Sequence, residues 1–231
     1  MKKSAPAPRG RPRGFDPEAA LDVAMRLFWE KGYDATSISD LTEAMGIGAP
    51  SLYAAFGSKD ELYQKALESY GSRYGGIVWD DFHAANTARD AVKAYLVNST
   101  SALTGCILDF PRGCMATLAR VDGKEHPELA ELLRRNRALG HARLEERIAR
   151  AAAEGELPAA AVAQLATFTQ MVQSGMSVLA RDGATRAELE AAVEVALAGW
   201  DAIARPGASR SAHASGEAAP DRAPRRRPAT G

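Results

Sequence analysis

The sequence predicts an all-α protein of about nine helices. Apolar residues recur three and four positions apart almost throughout, and the alternating β-branched runs that are typical of strands are missing. Capping signals support this prediction, because Ser37 with Asp40 and Ser58 with Glu61 each have the spacing of a reciprocal helix cap. A chain of 231 residues is long enough to bury a substantial core.

The first helix is predicted to begin at Pro17, after Asp16 as its N-cap. Gly32, which follows Lys31, is predicted to end it. Between these limits one face is apolar, with Ala20, Val23, Ala24, Leu27 and Phe28. This helix is expected to support the segment that follows it.

Residues 36–63 indicate a helix-turn-helix joined to the start of a further helix. Ser37 begins a short helix that Gly46 ends, and the turn Gly46-Ile47-Gly48 contains two permissive glycines around one apolar residue. The next helix, predicted over 49–55, is too short to be stable alone in water. Its outward residues are small or carry hydroxyl groups, which suits a helix that lies in a DNA major groove. These residues are Ala49, Pro50, Ser51 and Tyr53.

The helix that starts after Ser58 has a lysine, Lys59, at its first position. A cation at the positive end of a helix dipole is unfavourable unless an anion lies nearby. A DNA phosphate would supply that anion. Lys59 is therefore predicted to contact the DNA backbone.

This segment resembles the TetR family of one-component bacterial transcription regulators. The resemblance rests on Thr36, on Gly46-Ile47, on the run Leu52-Tyr53-Ala54-Ala55-Phe56 and on Lys59 at fixed spacing. Two departures are Thr42, where a small residue is usual, and the Gly48-Ala49-Pro50 start of the second helix. The resemblance implies an N-terminal DNA-binding domain followed by a helical ligand-binding and dimerisation domain. It adds Thr36 to the DNA-binding residues and implies a double-stranded DNA operator as partner.

The charge distribution supports DNA contacts by the chain ends. The formal net charge is zero, but residues 1–14 carry five basic and no acidic side chains, and residues 205–231 carry six basic and two acidic ones. Arg9, Arg11 and Arg13 could follow a DNA minor groove, or the arm could merely be solubilising. The predicted organisation is a basic disordered arm at 1–14, a DNA-binding domain at 15–60, a ligand-binding and dimerisation domain at 61–204 and a basic disordered tail at 205–231.

Two sets of apolar residues in the C-terminal part are candidates for binding. Aromatic residues and one methionine fall in the segments that, by resemblance, surround a ligand cavity: Tyr70, Tyr74, Trp79, Phe82, Tyr95, Phe110, Met115 and Phe168. Two apolar stripes near the end of the chain are flanked by many small residues and predict a homodimer interface: Val162, Leu165, Val172, Met176, Leu189, Val193, Leu197 and Trp200.

The resulting hypothesis is a cytoplasmic, homodimeric transcription regulator, and specifically a repressor that a small apolar or aromatic ligand releases from its operator. An alternative on the same fold is a redox or electrophile sensor that acts through Cys106 or Cys114. Motifs typical of enzymes, such as a nucleophile elbow, a phosphate loop or a zinc-binding helix, are missing, so an enzyme, a cofactor and a metal site are not predicted. No apolar run approaches the roughly 18 residues of a membrane span.

Overall fold

The computed structural model describes residues 15–107 and 110–205. This part contains nine α-helices, one turn of 3-10 helix at Ala159–Ala161 and no strand, which confirms the predicted all-α fold. The residues Arg9, Arg11 and Arg13, and the tail after Arg205, lie outside the described residues. The helices are α1 (Pro17–Lys31), α2 (Ile38–Met45), α3 (Ala49–Phe56), α4 (Lys59–Ala84), α5 (Ala88–Leu103), α6 (Met115–Leu118), α7 (Pro127–Ala153), α8 (Val162–Arg181) and α9 (Arg186–Ala204).

Side-chain caps set the starts of the first helices, as the sequence predicts. The Asp16 carboxylate accepts the backbone N–H of Glu18 at 2.9 Å at the start of α1. At the starts of α2 and α4, a serine hydroxyl and an acidic side chain three residues later cap each other's backbone N–H groups. These reciprocal caps satisfy donors that would otherwise be left open at the helix ends.

Helix α4 is continuous through Gly75-Gly76, a pair of adjacent glycines whose low helix propensity alone predicts a bend or break. It runs without interruption from Lys59 to Ala84 and packs against both α1 and α5. Each glycine costs a helix about 1 kcal/mol relative to alanine. Packing on two sides offsets that cost, because tertiary contacts supply most of the stability of a helix in a protein.

Two clusters of buried side chains form the core. One encloses α1 to α3 and the first turns of α4, and it also takes Met115 and Ala119 from the α6 region and Leu129 and Leu133 from α7. The other lies among α5, α7, α8 and α9, with Trp200 buried near its end. The first cluster therefore crosses the predicted domain limit at residue 60, and that limit stays a prediction.

The loop before α6 is fixed to α1 by a buried hydrogen bond. The indole Nε1 of Trp29 donates to the carbonyl oxygen of Gly113 at 3.0 Å. Gly113 has a φ of +81°, and a Cβ there would lie 2.9 Å from the carbonyl oxygen of Ser177 and 2.5 Å from Cδ1 of Leu118. Only glycine fits this close approach of the loop to α8.

Two arginines complete the junction between the N-terminal helices and α8. Arg181, in the last turn of α8, donates to the carbonyl oxygens of Trp29 and Arg112, each at 2.8 Å. Arg112 in turn donates from Nε to the carbonyl oxygen of Ala180 at 2.7 Å. Both guanidinium groups therefore bind main-chain acceptors, and they tie the end of α8 to the end of α1.

None of the helices in the described ranges is long and apolar enough to cross a membrane. Within the same ranges, no group of three or more His, Cys, Asp and Glu side chains is arranged to hold a metal ion.

Candidate DNA-binding surface and effector cavity

Helix α3 shows one face to solvent. Leu52 and Phe56 are buried beneath it, while Pro50, Ser51 and Tyr53 are exposed, the tyrosine by 50%. Ala49 is half-buried at the start of the helix. The exposed face thus carries small groups and hydroxyls, which is the chemistry that close approach to base edges needs. Contact of these residues with DNA stays a prediction.

Thr42 is accommodated at the junction of α2 and α3 without disturbing it. Its hydroxyl donates to the carbonyl oxygen of Ile38 at 3.0 Å, which satisfies the polar group inside its own helix. The following turn closes when the backbone N–H of Ile47 donates to the carbonyl oxygen of Thr42 at 3.1 Å, with Gly46 in the left-handed region at φ 65°. The departure from a small residue at position 42 therefore leaves the geometry of the two helices intact.

The structure corrects the assignment of Thr36 to the DNA-binding side chains. Thr36 is fully buried, and its hydroxyl donates to the carbonyl oxygen of Gly32 at 2.6 Å, at the end of α1. A side chain with no exposed surface cannot reach a phosphate. Thr36 instead fixes the connection between α1 and α2.

Lys59 lies at the first position of α4 and is half-buried against an aromatic ring. Its Nζ lies 4.0 Å from the centroid of the Tyr33 ring, which is a cation–π contact. Burial lowers the pKa of Lys59, while the nearby carboxylates of Asp34 and Asp60 act in the opposite direction. The ring holds the ammonium group beside α3, where a phosphate would compensate its loss of solvation.

Asp60, next to Lys59, receives hydrogen bonds from two directions. The hydroxyl of Tyr33 donates to its carboxylate, and Nδ1 of His126 lies 2.9 Å from its Oδ2. Burial alone would raise the pKa of Asp60, but the hydrogen bonds from Tyr33 and His126 outweigh it and hold the pKa below its usual value. His126 is the N-cap residue of α7, so this contact joins α7 to the first turn of α4.

A cavity of about 510 Å³ lies between α4 and α7, with α8 and the α6 region closing it. This volume falls within the range of roughly 300–1,000 Å³ that small-molecule sites occupy. The α4 wall carries apolar, aromatic and glycine residues, namely Leu67, Tyr70, Gly71, Tyr74, Gly75, Val78 and Trp79. The opposite wall carries Leu132, Asn136, Arg137, Leu139, Gly140 and Arg143 of α7 with Gln170 and Gln173 of α8.

Four of the predicted ligand residues line this cavity: Tyr70, Tyr74, Trp79 and Tyr95. Phe110 lines a smaller adjoining space of about 50 Å³ instead. The structure corrects the other three assignments. Phe82 is fully buried in the C-terminal core and packs edge-on against Trp79, Met115 is buried in the N-terminal core, and Phe168 packs on the C-terminal core. Neither cavity is lined by these three residues.

The polar residues of the cavity were missed by the prediction, which assigned aromatic residues and one methionine alone. Arg137, Gly140 and Arg143 follow one another at spacings of three on α7 and share a wall of the cavity. The spacing was visible in the sequence, but the partner that this face meets is α4, about 60 residues earlier. An arginine face without a known partner is indistinguishable from a solvated one.

Cys114 lies at the edge of the cavity, partly buried. The hydroxyl of Tyr70 donates to its sulfur at 3.3 Å, and its backbone N–H donates to the hydroxyl of Ser177 at 2.8 Å. Burial, together with the Cys114 contact, raises the pKa of Tyr70, so the phenol stays a neutral donor. Cys106 is exposed, and its sulfur accepts a hydrogen bond from Thr104 at 3.2 Å.

The structure corrects most of the predicted dimer interface. Six of the eight residues are buried inside the single chain, because the stripes of α8 and α9 face the other helices of the same core: Leu165, Met176, Leu189, Val193, Leu197 and Trp200. Val162 and Val172 are half-buried and pack on that core. The surface left on α8 and α9 is formed by other residues.

That outer surface is apolar and contains small side chains. Met171, Val178 and Leu179 of α8 and Val195 of α9 are exposed by 49–74%. Glycine and alanine residues lie among them on the exposed side, at Gly175, Ala191 and Ala198. We call this surface the outer α8–α9 face. Large exposed apolar side chains grouped on one face are typical of a protein interface.

Comparisons with known proteins agree with this geometry. Residues 20–66, which contain α2, α3 and their supports, match the sequence profile of bacterial regulatory proteins of the tetR family. The HTH-type transcriptional repressor ComR of Escherichia coli K12 is 34% identical over 211 residues, which cover 89% of this chain and 96% of ComR. The repressor BdcR of the same organism is 51% identical over 69 residues, which cover 30% of this chain and 34% of BdcR.

A solved structure shows a related chain on DNA. A cysteine-substituted variant of the TetR-family regulator CifR, complexed with 26-bp double-stranded operator DNA, is 41% identical to this chain. The TM-score is 0.77, and the alignment covers 82% of this chain and all of the CifR chain.

The chain therefore belongs to the TetR family of bacterial transcription regulators. It is a DNA-binding regulator and not an enzyme. Membership of this family does not favour the alternative hypothesis, in which the protein is a redox or electrophile sensor that acts through Cys106 or Cys114.

Proposed function

We propose that this protein is a cytoplasmic, homodimeric repressor that leaves its operator when a small molecule occupies the cavity between α4 and α7. One observation carries the proposal: α4 forms a wall of the cavity and, at its N-terminal end, carries Lys59, which follows the end of α3 at Phe56 and lies over the Tyr33 ring. Occupancy of the cavity and the position of the recognition helix therefore depend on the same rigid element.

The DNA contacts divide into two kinds. Ala49, which is half-buried, and Pro50 and Ser51, which are exposed, read base edges in the major groove. Tyr53 and Lys59 are placed to contact phosphates, which position the protein without reading sequence. Arg9, Arg11 and Arg13 of the N-terminal arm add contacts to the backbone or the minor groove.

The dimer forms through the outer α8–α9 face. The exposed apolar residues Met171, Val178, Leu179 and Val195 supply its centre, and the small residues let the helices approach closely. A two-fold dimer places two α3 helices on one side of a duplex. The DNA-binding domain comprises residues 15–60 with the first turns of α4, and the ligand-binding and dimerisation domain extends to residue 204.

Release requires that the ligand prefer a dimer whose two α3 helices are wrongly spaced for the operator. Linkage then requires that operator DNA weaken ligand binding by the same factor, with a coupling of about 1–3 kcal/mol. The contact of His126 with Asp60 gives α7 a direct connection to the α3 side of α4. A shift of α7 on ligand binding would reach Lys59 through that contact.

The proposal is tested by selecting binding sites from a library of random DNA duplexes. We expect a two-fold related sequence that binds two protomers, with half-sites on one face of the duplex about one helical turn, or a multiple of it, apart. Affinity should fall steeply with salt because phosphate contacts release counterions. A monomer bound to a single half-site, or an affinity independent of salt, would refute the proposal.

A further inference from the structure

The cavity joins an aromatic wall to a cationic rim. Tyr70, Tyr74 and Trp79 line the α4 side, and Arg137 and Arg143 face them from α7. The guanidinium carbon of Arg143 lies 5.4 Å from the centroid of the Trp79 ring. This cation–π contact holds the positive charge over the aromatic wall rather than away from it.

The donors of Arg143 have no acceptor in the described part of the chain. Arg134 and Arg135, on the same helix, donate to the carboxylate of Glu131 at 2.7 and 2.8 Å. Arg143 contacts the Trp79 ring and, among the described residues, forms no hydrogen bond or ion pair. A guanidinium presents five N–H groups in a fixed fork that matches a planar or tetrahedral anion. Arg143 is exposed, so an anionic group on a ligand that lies against Trp79 can reach these N–H groups and accept their hydrogen bonds.

The charges around the cavity are predominantly positive. Glu68 is the acidic residue among its lining residues, and it already accepts a hydrogen bond from the amide of Gln64 at 2.9 Å. Arg147, one turn beyond Arg143, is buried and donates to two carbonyl oxygens of the α4–α5 loop at 3.1 and 3.3 Å. In the described ranges Arg147 has no carboxylate partner. Its Nε and Nη1 atoms are buried and have no hydrogen-bond partner there. Arg147 does not line the cavity, so the positive charge at the cavity itself is that of Arg137 and Arg143.

The α8 wall adds a hydrogen-bond acceptor without a donor. Oε1 of Gln170 is buried and unpartnered, although buried polar atoms are almost always paired. It lies 3.7 Å from the position that a Cβ of Gly140 would occupy. Because glycine has no side chain, position 140 leaves room for a ligand hydroxyl or N–H to reach this oxygen.

Glycines on α4 keep the cavity open. A Cβ added at Gly71 would meet no atom within 4 Å, and one at Gly75 would have Cδ1 of Trp79 at 4.0 Å as its nearest neighbour. Larger side chains at these positions would enter the empty space without striking the backbone. Gly71 and Gly75 are therefore sites at which the cavity can be filled by substitution.

We propose that the effector is an amphiphilic organic anion. Its flat apolar part lies against Tyr74 and Trp79, and its carboxylate, sulfonate or phosphate accepts hydrogen bonds from Arg143. This inference rests on the proposed role of the cavity as the effector site, and it adds an anionic group to the apolar or aromatic ligand that the sequence predicts.

Two fluorescent probes with one skeleton test the charge requirement. They are 8-anilinonaphthalene-1-sulfonate, which is anionic, and N-phenyl-1-naphthylamine, which lacks the sulfonate. The full-length protein should bind the sulfonate at one site per chain, about tenfold or more tightly than the neutral probe, since a charge-assisted hydrogen bond contributes that much. Arg143→Gln should reduce this preference to about threefold or less. Arg150→Gln, an exposed arginine of α7 outside the cavity lining, should leave it unchanged.

Gly71→Leu tests the location of the site. It should abolish binding of both probes while the thermal midpoint of unfolding stays within a few degrees of the wild type. If that variant is unfolded, Gly75→Leu gives the second test of occlusion. Tight probe binding that survives a folded occluding variant would place the probes elsewhere and overturn the proposal.

Operator affinity with and without saturating probe separates the two proposals. Equal affinities for the two probes, or a preference that Arg143→Gln does not change, would overturn the anionic effector while leaving repression intact. A sulfonate preference that depends on Arg143 would support the anionic site even if operator affinity stayed constant, and that constancy would refute the proposed release of DNA.

Discussion

Nδ1 of His126 lies 2.9 Å from Oδ2 of Asp60, and this contact joins the N-cap of α7 to the first turn of α4. The hydroxyl of Tyr33 donates to the same carboxylate, and Lys59 lies over the Tyr33 ring. The helix that forms one wall of the proposed effector cavity and Lys59, the proposed phosphate contact, are thus connected through one hydrogen-bonded carboxylate. Changes at this carboxylate should affect both stability and the response to ligand.

The first prediction concerns acid. The pKa of Asp60 is lower in the folded protein than in the unfolded chain, so its contribution to stability is complete above the unfolded value of about 4. That contribution is lost as pH falls through the folded pKa. The free energy of unfolding in urea should therefore fall less between pH 6 and pH 3 for Asp60→Asn than for the wild type. If the free energy of unfolding depended on pH in the same way in both proteins, the stabilising role assigned to the Asp60 carboxylate would be wrong.

Lys59→Ala should weaken binding to all DNA sequences about equally. On the proposed role, Lys59 contacts one phosphate and no base, so its removal should flatten the slope of log affinity against log salt by about one unit. Titrations of the selected operator and of unrelated DNA at several salt concentrations measure both effects. Lys93→Ala, which removes an exposed lysine of α5, is the control and should change neither. A change of preference at one base pair would show that Lys59 reads sequence.

Two substitutions on α3 should differ from each other in their effect on DNA binding. Ser51→Ala should re-rank the operator sequences, since the exposed hydroxyl is placed to bind a base edge, with a discrimination of about 1–3 kcal/mol at one position. Tyr53→Phe should lower affinity without re-ranking, because its hydroxyl is placed at the backbone. Repeating the selection from random DNA with each variant separates the two roles. If Ser51→Ala selected the same DNA sequences as the wild type, Ser51 would not be a residue that reads bases.

Gly113→Ala should be more damaging than an alanine at another glycine of positive φ. Gly183 has a φ of +107° with no atom within 4 Å of a Cβ, so Gly183→Ala should cost about 1–2 kcal/mol of backbone strain. At Gly113 the same methyl would strike the carbonyl oxygen of Ser177, which adds about 1–3 kcal/mol. Chemical unfolding of both variants gives the comparison. Equal losses of unfolding free energy in the two variants would mean that the loop before α6 moves enough to accommodate the added methyl group.

A charge on the outer α8–α9 face should separate the protomers. Val195→Glu and Leu179→Glu place a carboxylate on an exposed apolar surface without disturbing the core, and sedimentation should then show monomers that bind the operator poorly. Leu139→Glu is the control for the added charge alone, because Leu139 is 60% exposed on α7, lines the cavity and is not one of the residues of that face. Dimers that persist in Val195→Glu and Leu179→Glu would place the interface elsewhere.

The features predicted correctly from the sequence depend on neighbouring residues. Ser37 with Asp40 and Ser58 with Glu61 locate helix starts, because a capping side chain bonds to a backbone group three residues away. The helix-turn-helix follows from such local signals. The continuity of α4 through Gly75-Gly76 was not predictable in this way, since packing against α1 and α5 outweighs the local weakness.

The errors concern residues whose role depends on a distant partner. The stripe through Leu165 and Met176 is apolar whether another subunit or the same chain covers it, and the structure shows that the same chain does. Thr36 has a hydroxyl that could serve DNA or its own backbone, and it serves the backbone. Arg143 becomes part of the cavity lining only because α7 brings it to Trp79, which lies 64 positions earlier in the sequence.

The junction formed by Arg112 and Arg181 has a consequence for how such a regulator can evolve. Both guanidinium groups bind backbone carbonyls, which every amino acid carries. These hydrogen bonds place no demand on the side chains of the residues that supply the acceptors, and no compensating substitution in a partner side chain is needed to keep the junction. The recognition helix and the cavity can each change while the attachment of α8 to the end of α1 depends on these two arginines, whose guanidinium groups require no covarying partner side chain.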